Sequence, residues 1–195
     1  MPEAHPNTRP KDGADWLIGG RDEVAWITEG TSTGLAITAA IPPVFADYAT
    51  LELPATAADD EVREHDRAVV ALLCRCTVSA PWWLGYLETG SSEIIFTDAP
   101  CVTPYSVDWR YVLVQAGPEQ AAVWRADDWK GTALPDLMFA TDRGWLFSTL
   151  WDDDWSCVGG PTELVSDLLS DPVLGSRARR VTVDQDATPP GHTAL

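Results

Sequence analysis

RGWLFSTLWDDDWSCVGGPTELVSDLLSDP, Arg143 to Pro172, decides the fold class, because strand, turn and helix signals follow one another within it. From Trp145 to Trp151 the side chains alternate. Trp145, Phe147, Thr149 and Trp151 fall on one face of an extended chain, and Leu146, Ser148 and Leu150 on the other. A period of two with aromatic enrichment predicts a strand, and large apolar groups on both faces predict an interior one. Asp152, Asp153 and Asp154 interrupt it, since three adjacent carboxylates are costly to bury without partners. Trp155 to Val158 suits a short return strand. Gly160 then serves as a cap, with Pro161 at the first helical position and Glu163 in the first turn, where the helix dipole favours a negative charge. Leu164, Val165, Leu168 and Leu169 form the apolar stripe of a helix that Asp171-Pro172 ends.

Working outward, the pattern continues as short strands beyond Pro81. Trp83–Glu88 and Glu93–Thr97 flank Thr89-Gly90-Ser91-Ser92, and Arg110–Gln115 and Ala121–Arg125 flank Ala116-Gly117-Pro118-Glu119; both read as hairpins. Leu134 to Ala140, with Pro135, reads as irregular, and Arg177–Val183 as a last strand. Upstream, Glu61–Cys74 is an amphipathic helix with Val62, Val69, Val70, Leu73 and Cys74 inward. Its wet face carries Arg63, Glu64, Asp66 and Arg67, and His65 is expected at the surface. A short helix is expected around Asp22–Trp26, and a strand over Gly34–Ile41; Val44–Leu53 fits a helical turn or an extended end equally well. The sum is an α+β domain, an antiparallel or mixed sheet with helices packed against it. It spans residues 15–183, between a flexible N-terminal tail of residues 1–14 and a C-terminal tail of residues 184–195.

The 195 residues are 45% hydrophobic, enough for a substantial core, and ten are Trp. The formal net charge is −17, from 30 acidic and 13 basic residues. Such a surface repels nucleic acid and anionic membranes and attracts basic partners. The four cysteines (74, 76, 101, 157) contain no Cys-x-x-Cys pair, and the three histidines (5, 65, 192) complete no ligand set by spacing. Free thiols, no expected metal or cofactor, and no apolar N-terminal segment or spanning run lead to a cytoplasmic expectation.

The sharpest local feature is Trp151-Asp152-Asp153-Asp154-Trp155, carboxylates between aromatics. As a glycosidase pair it fails, because Asp152 and Asp154, about 7 Å apart in an extended chain, project the same way and do not flank a bond. It also lacks the spaced oxygens and glycine of a calcium loop. As a docking turn for a basic protein it is chemically apt, and Trp82 with Tyr86 is a second aromatic candidate. Neighbours on a strand face opposite ways, so with one sheet face wet only one of Trp82 and Trp83 is core, and the other is exposed or covered by a helix. No Gly-x-Ser-x-Gly elbow occurs, and no catalytic residue is assigned.

Pro81-Trp82-Trp83-Leu84-Gly85-Tyr86-Leu87, Tyr111-Val112-Leu113-Val114 leading to Ala116–Gln120, and the Trp145–Gly160 block together resemble a family of uncharacterised actinobacterial proteins, from about Gly30 onward. In element order the last block is also similar to small bacterial immunity proteins of the SUKH type. That resemblance implies a cytoplasmic, non-enzymatic α+β binder that docks on a toxin domain, and it transfers no functional residues. The leading expectation is therefore a non-enzymatic acidic protein that docks a basic protein partner. The alternative is a small enzyme or ligand-binding domain with a Trp-lined pocket, for instance for carbohydrate.

Overall fold

The computed structural model describes residues 17–54, 59–77, 81–88, 99–106, 108–123, 132–150 and 155–189. Its elements in chain order are β1 (Leu17–Ile18), α1 (Arg21–Gly30), β2 (Asp47–Glu52), α2 (Asp59–Arg75), β3 (Trp82–Leu87) and β4 (Tyr111–Ala116). There follow α3 (Pro118–Ala121), β5 (Leu137–Ala140), β6 (Leu146–Ser148), β7 (Trp155–Gly160), α4 (Thr162–Ser170) and β8 (Ala178–Val181). The eight strands form one sheet in the order β1-β4-β3-β5-β6-β7-β2-β8. Among the described residues every pairing is antiparallel, so the α+β class holds with an antiparallel sheet.

The Arg143–Pro172 stretch folds largely as its pattern dictates. β6 and β7 pair with Leu146 opposite Gly159 and Ser148 opposite Cys157. Phe147 and Leu146 enter separate cores on opposite faces of the sheet, which makes β6 the expected interior strand. Gly159 and Gly160 stay in β7, and Pro161 caps α4, one position later than expected. α4 buries Leu164, Val165 and Leu168, and ends at Asp171, whose carboxylate accepts from the Val173 and Leu174 amides.

Each face of the sheet is covered, so two cores exist. On the first, α2 and α4 pack Val69, Leu72, Leu73, Leu164, Val165 and Leu168 onto inward residues such as Leu51, Trp82, Tyr86, Val114, Met138 and Phe147. On the second, α1 (Val24, Ile27) and the turn of 3₁₀ helix Ile37–Ala39 cover Tyr48, Trp83, Leu113, Phe139, Leu146 and Trp155. Trp82 and Trp83 are therefore both buried, the covered alternative of the two left open for the second ring.

Several local expectations change. Leu137–Ala140, read as irregular, is an interior strand between β3 and β6. The second hairpin is replaced by the helical turn α3, because Pro118 suits the first turn and Gln120 accepts a hydrogen bond from the Gly117 amide. The return strand of the first hairpin lies outside the described residues. Gly34–Ile41 is no strand: a single bridge at Ala36 leads into the 3₁₀ turn, which buries Ile37, Ala39, Ala40 and Ile41 together. The end of Val44–Leu53 is extended as β2. Packing also runs past Val183, since Asp186 bridges Ala36 and the Ala187 amide donates to the Leu35 carbonyl.

Candidate binding surface

Of the aromatics singled out in the sequence, Trp82, Tyr86 and Trp155 are at most 2% exposed. They are core residues and present nothing to a docking partner. The reason is the double cladding of the sheet. Trp82 packs edge-on against Trp145 with ring centroids 4.8 Å apart, under α2 and α4, and Trp155 opens β7 on the opposite face. Trp151, Asp152, Asp153 and Asp154 lie outside the described residues.

Two ionisable groups of α2 that were expected at the surface are buried. His65 is fully enclosed, and its Nδ1 lies 2.8 Å from Arg177 Nη1. A guanidinium only donates, so Nδ1 is the acceptor and the ring proton sits on Nε2, which is buried with no hydrogen-bond partner. Arg177 also donates to the Glu52 and Val173 carbonyls, tying α2 to β2 and to the segment before β8. Burial first, and the Arg177 charge second, push the His65 pKa down to about 4. Asp66 accepts from Thr132 Oγ1 (2.8 Å) and from the Ala133 amide (2.7 Å). Burial raises its pKa, although these two bonds favour the ionised form.

Among the other potential nucleophiles, Cys74 is exposed and Cys76 and Cys101 are partly exposed, but Cys157 and Ser148 are enclosed. Cys157 is fully buried, and burial raises its thiol pKa far above the ordinary range. Ser148 Oγ is 2.7 Å from the buried Tyr105 hydroxyl, which also donates to the Ala40 carbonyl. These groups fix the interior and have no access to an outside substrate. Among the described residues no group of three or more His, Cys, Asp or Glu side chains is placed to hold a metal, and no helix is long and apolar enough to cross a membrane.

A different cluster reaches the surface, on the α1 face. Trp26 is half-buried, edge-on to Phe45 (centroids 6.1 Å) and to the buried Phe139 (5.7 Å). Its indole N–H donates to the Glu23 carbonyl within α1. Phe45 lies close to the sheet because Gly159 has no side chain; a Cβ there would collide with Ile41 and Phe45. The exposed Arg143 guanidinium sits 5.6 Å above the Trp26 ring. Arg143 holds φ at 60°, the left-handed region that non-glycine residues rarely adopt. The turn from β5 to β6 fixes it there, with the Arg143 amide donating to the Ala140 carbonyl and the Gly144 amide to the Asp142 carboxylate. Val44, beside Phe45, is 66% exposed. In the sequence, Trp26 stood out only as part of a helix. Nothing local linked it to Phe45 or Arg143, which arrive from segments far apart in the chain.

No family model, no curated protein and no solved structure matches the chain.

Proposed function

We propose that this chain is a non-enzymatic acidic binding protein that docks a basic protein partner. The observation that carries the reading is the spread of exposed carboxylates over several outer elements, while most of the described tryptophans are core. Asp22 and Glu29 on α1, Glu61 and Glu64 on α2, and Glu163 and Asp167 on α4 are exposed, whereas Trp82, Trp83, Trp145 and Trp155 are buried. Carboxylates spread over several outer elements steer a cationic protein toward the surface; a sugar-cleaving cleft would need a pair of them facing each other across a bond in a Trp-lined pocket. The net charge of −17 gives that steering its sign. In the immunity-like form suggested by the resemblance in element order, the basic partner is a toxin domain.

The test is kinetic. A partner is captured by cross-linking in cells that make the protein, identified, purified, and its association followed at low and high salt. The expected partner is cationic, with an on-rate that falls steeply as salt shortens the screening length to about 8–10 Å. An acidic or neutral partner with a salt-independent on-rate would overturn the proposal, as would turnover of a small substrate by the purified chain.

A further inference from the structure

We infer that the Trp26 ring is a receptor for an arginine side chain of the partner, and that Arg143 occupies this receptor in the free protein. The inference rests on the reading of the chain as a binder of basic proteins, and adds where and by what chemistry the contact is made. A guanidinium 5.6 Å from the ring centroid is within the range of a cation–π contact. The ring is backed by Phe45 and Phe139, so it is held in place before any partner arrives.

The charge around the ring suits a second cation. Asp22 and Glu29 stand four residues before and three residues after Trp26 on α1, and both are exposed. Helical spacing puts them on the Trp26 side of the helix, one turn to either end of the ring. Asp142, also exposed, is adjacent to Arg143 in the turn above it. The aromatic platform is thus flanked by carboxylates, and Val44 adds an exposed apolar rim. Arginine fits such a site better than lysine, because its planar, weakly hydrated guanidinium stacks on the ring while its N–H groups reach the acids.

Arg143 is held there by a turn in a disfavoured backbone conformation. An internal guanidinium in that position competes with an incoming one. Its removal should therefore open the site.

The experiment titrates the full chain by calorimetry with an arginine homopeptide and a lysine homopeptide of equal length. Four proteins are compared: wild type, Trp26→Leu, Arg143→Gly and Arg67→Gln. Glycine accepts the positive φ at position 143, so the turn is kept. Arg67 is exposed on α2, and its loss changes the net charge by the same single unit. Wild type should prefer the arginine peptide. Trp26→Leu should weaken arginine-peptide binding about two- to fivefold and erase the preference. Arg143→Gly should tighten arginine-peptide binding beyond the effect of Arg67→Gln.

A preference that survives in a folded Trp26→Leu protein overturns the inference. So does an Arg143→Gly protein that binds no tighter than Arg67→Gln, and this second comparison stands even where Trp26→Leu fails to fold. Binding of both peptides with no preference removes the Trp26 receptor while leaving the basic-partner reading intact. Absence of binding by either peptide overturns both.

Discussion

The two faces of the sheet are covered to different degrees. The α2/α4 face is closed by helices of 17 and nine residues, and buries Trp82, Trp145, Leu164 and Phe147 to within 1% of full enclosure. The opposite face is covered by the ten-residue α1, a three-residue 3₁₀ turn, loops and the segment around Ala187. That mixed cover leaves Trp26 and Phe45 partly exposed. The closed face draws in even charged side chains, His65 and Asp66, and gives each of them partners. The other face buries the Cys157 thiol and the Tyr105 hydroxyl but leaves an aromatic at its rim. Both faces hold an extensive core, and the proposed recognition site lies at the rim of the second.

The largest expected effect tests the closed face. Trp145→Ala removes a ring that packs on Trp82 and donates to Thr77 Oγ1 at 2.7 Å, and should cost about 3–5 kcal/mol in equilibrium denaturation. Leu164→Ala, in the same core, should cost about 2–5 kcal/mol. Losses below about 0.5 kcal/mol for both would mean that the strand–helix packing is not a source of stability.

Next comes the buried histidine. Its folded pKa of about 4 lies below the ordinary 6.5, so between these values the unfolded chain binds more protons than the folded one. Stability from this group is complete above pH 6.5 and is lost as pH falls toward about 4, by at most about 3 kcal/mol. Asp66, with its raised pKa, contributes the opposite slope in its own range, so the wild type must be compared with His65→Gln. Urea melts at several pH values should show a shallower decline between pH 6.5 and 4 in the variant. Parallel curves would place His65 in contact with solvent.

The smallest effect sharpens the contrast. Trp26→Leu should cost no more than about 1.5 kcal/mol, because the ring is only partly buried and leucine retains part of its apolar contact. A loss as large as that of Trp145→Ala would make the α1 face a second closed core and remove the distinction between the two.

Much of this fold is legible where a pattern is local and repeats. α2 and α4 announce themselves by stripes of apolar residues, and the β6–β7 pair by alternation around an acidic turn. β5 is missed because Leu137–Ala140 is uniformly apolar and follows Pro135; a strand buried on both faces shows no alternation. His65 and Asp66 are misplaced for another reason. Both sit among charged neighbours on α2, and what encloses them is Arg177, 112 residues away, and Thr132, 66 residues away. The aromatic surface is illegible in the same way. It depends on a φ value at Arg143 that no composition encodes, and on a glycine at 159 that admits Phe45.

The position of β2 has a consequence for how the protein is made. β2 is finished at Glu52, yet its two neighbours are β7, Trp155–Gly160, and β8, Ala178–Val181. During synthesis this strand leaves the ribosome with both edges bare, and about a hundred residues must follow before either can be satisfied. Pairings of such long sequence separation are slow, and a nascent chain carrying them is open to association with its neighbours. β1, β3, β4, β5 and β6 can pair before residue 155, whereas β2 waits for β7 and β8, so ribosome-stalled chains that stop short of residue 155 should still be protease-sensitive across Asp47–Glu52.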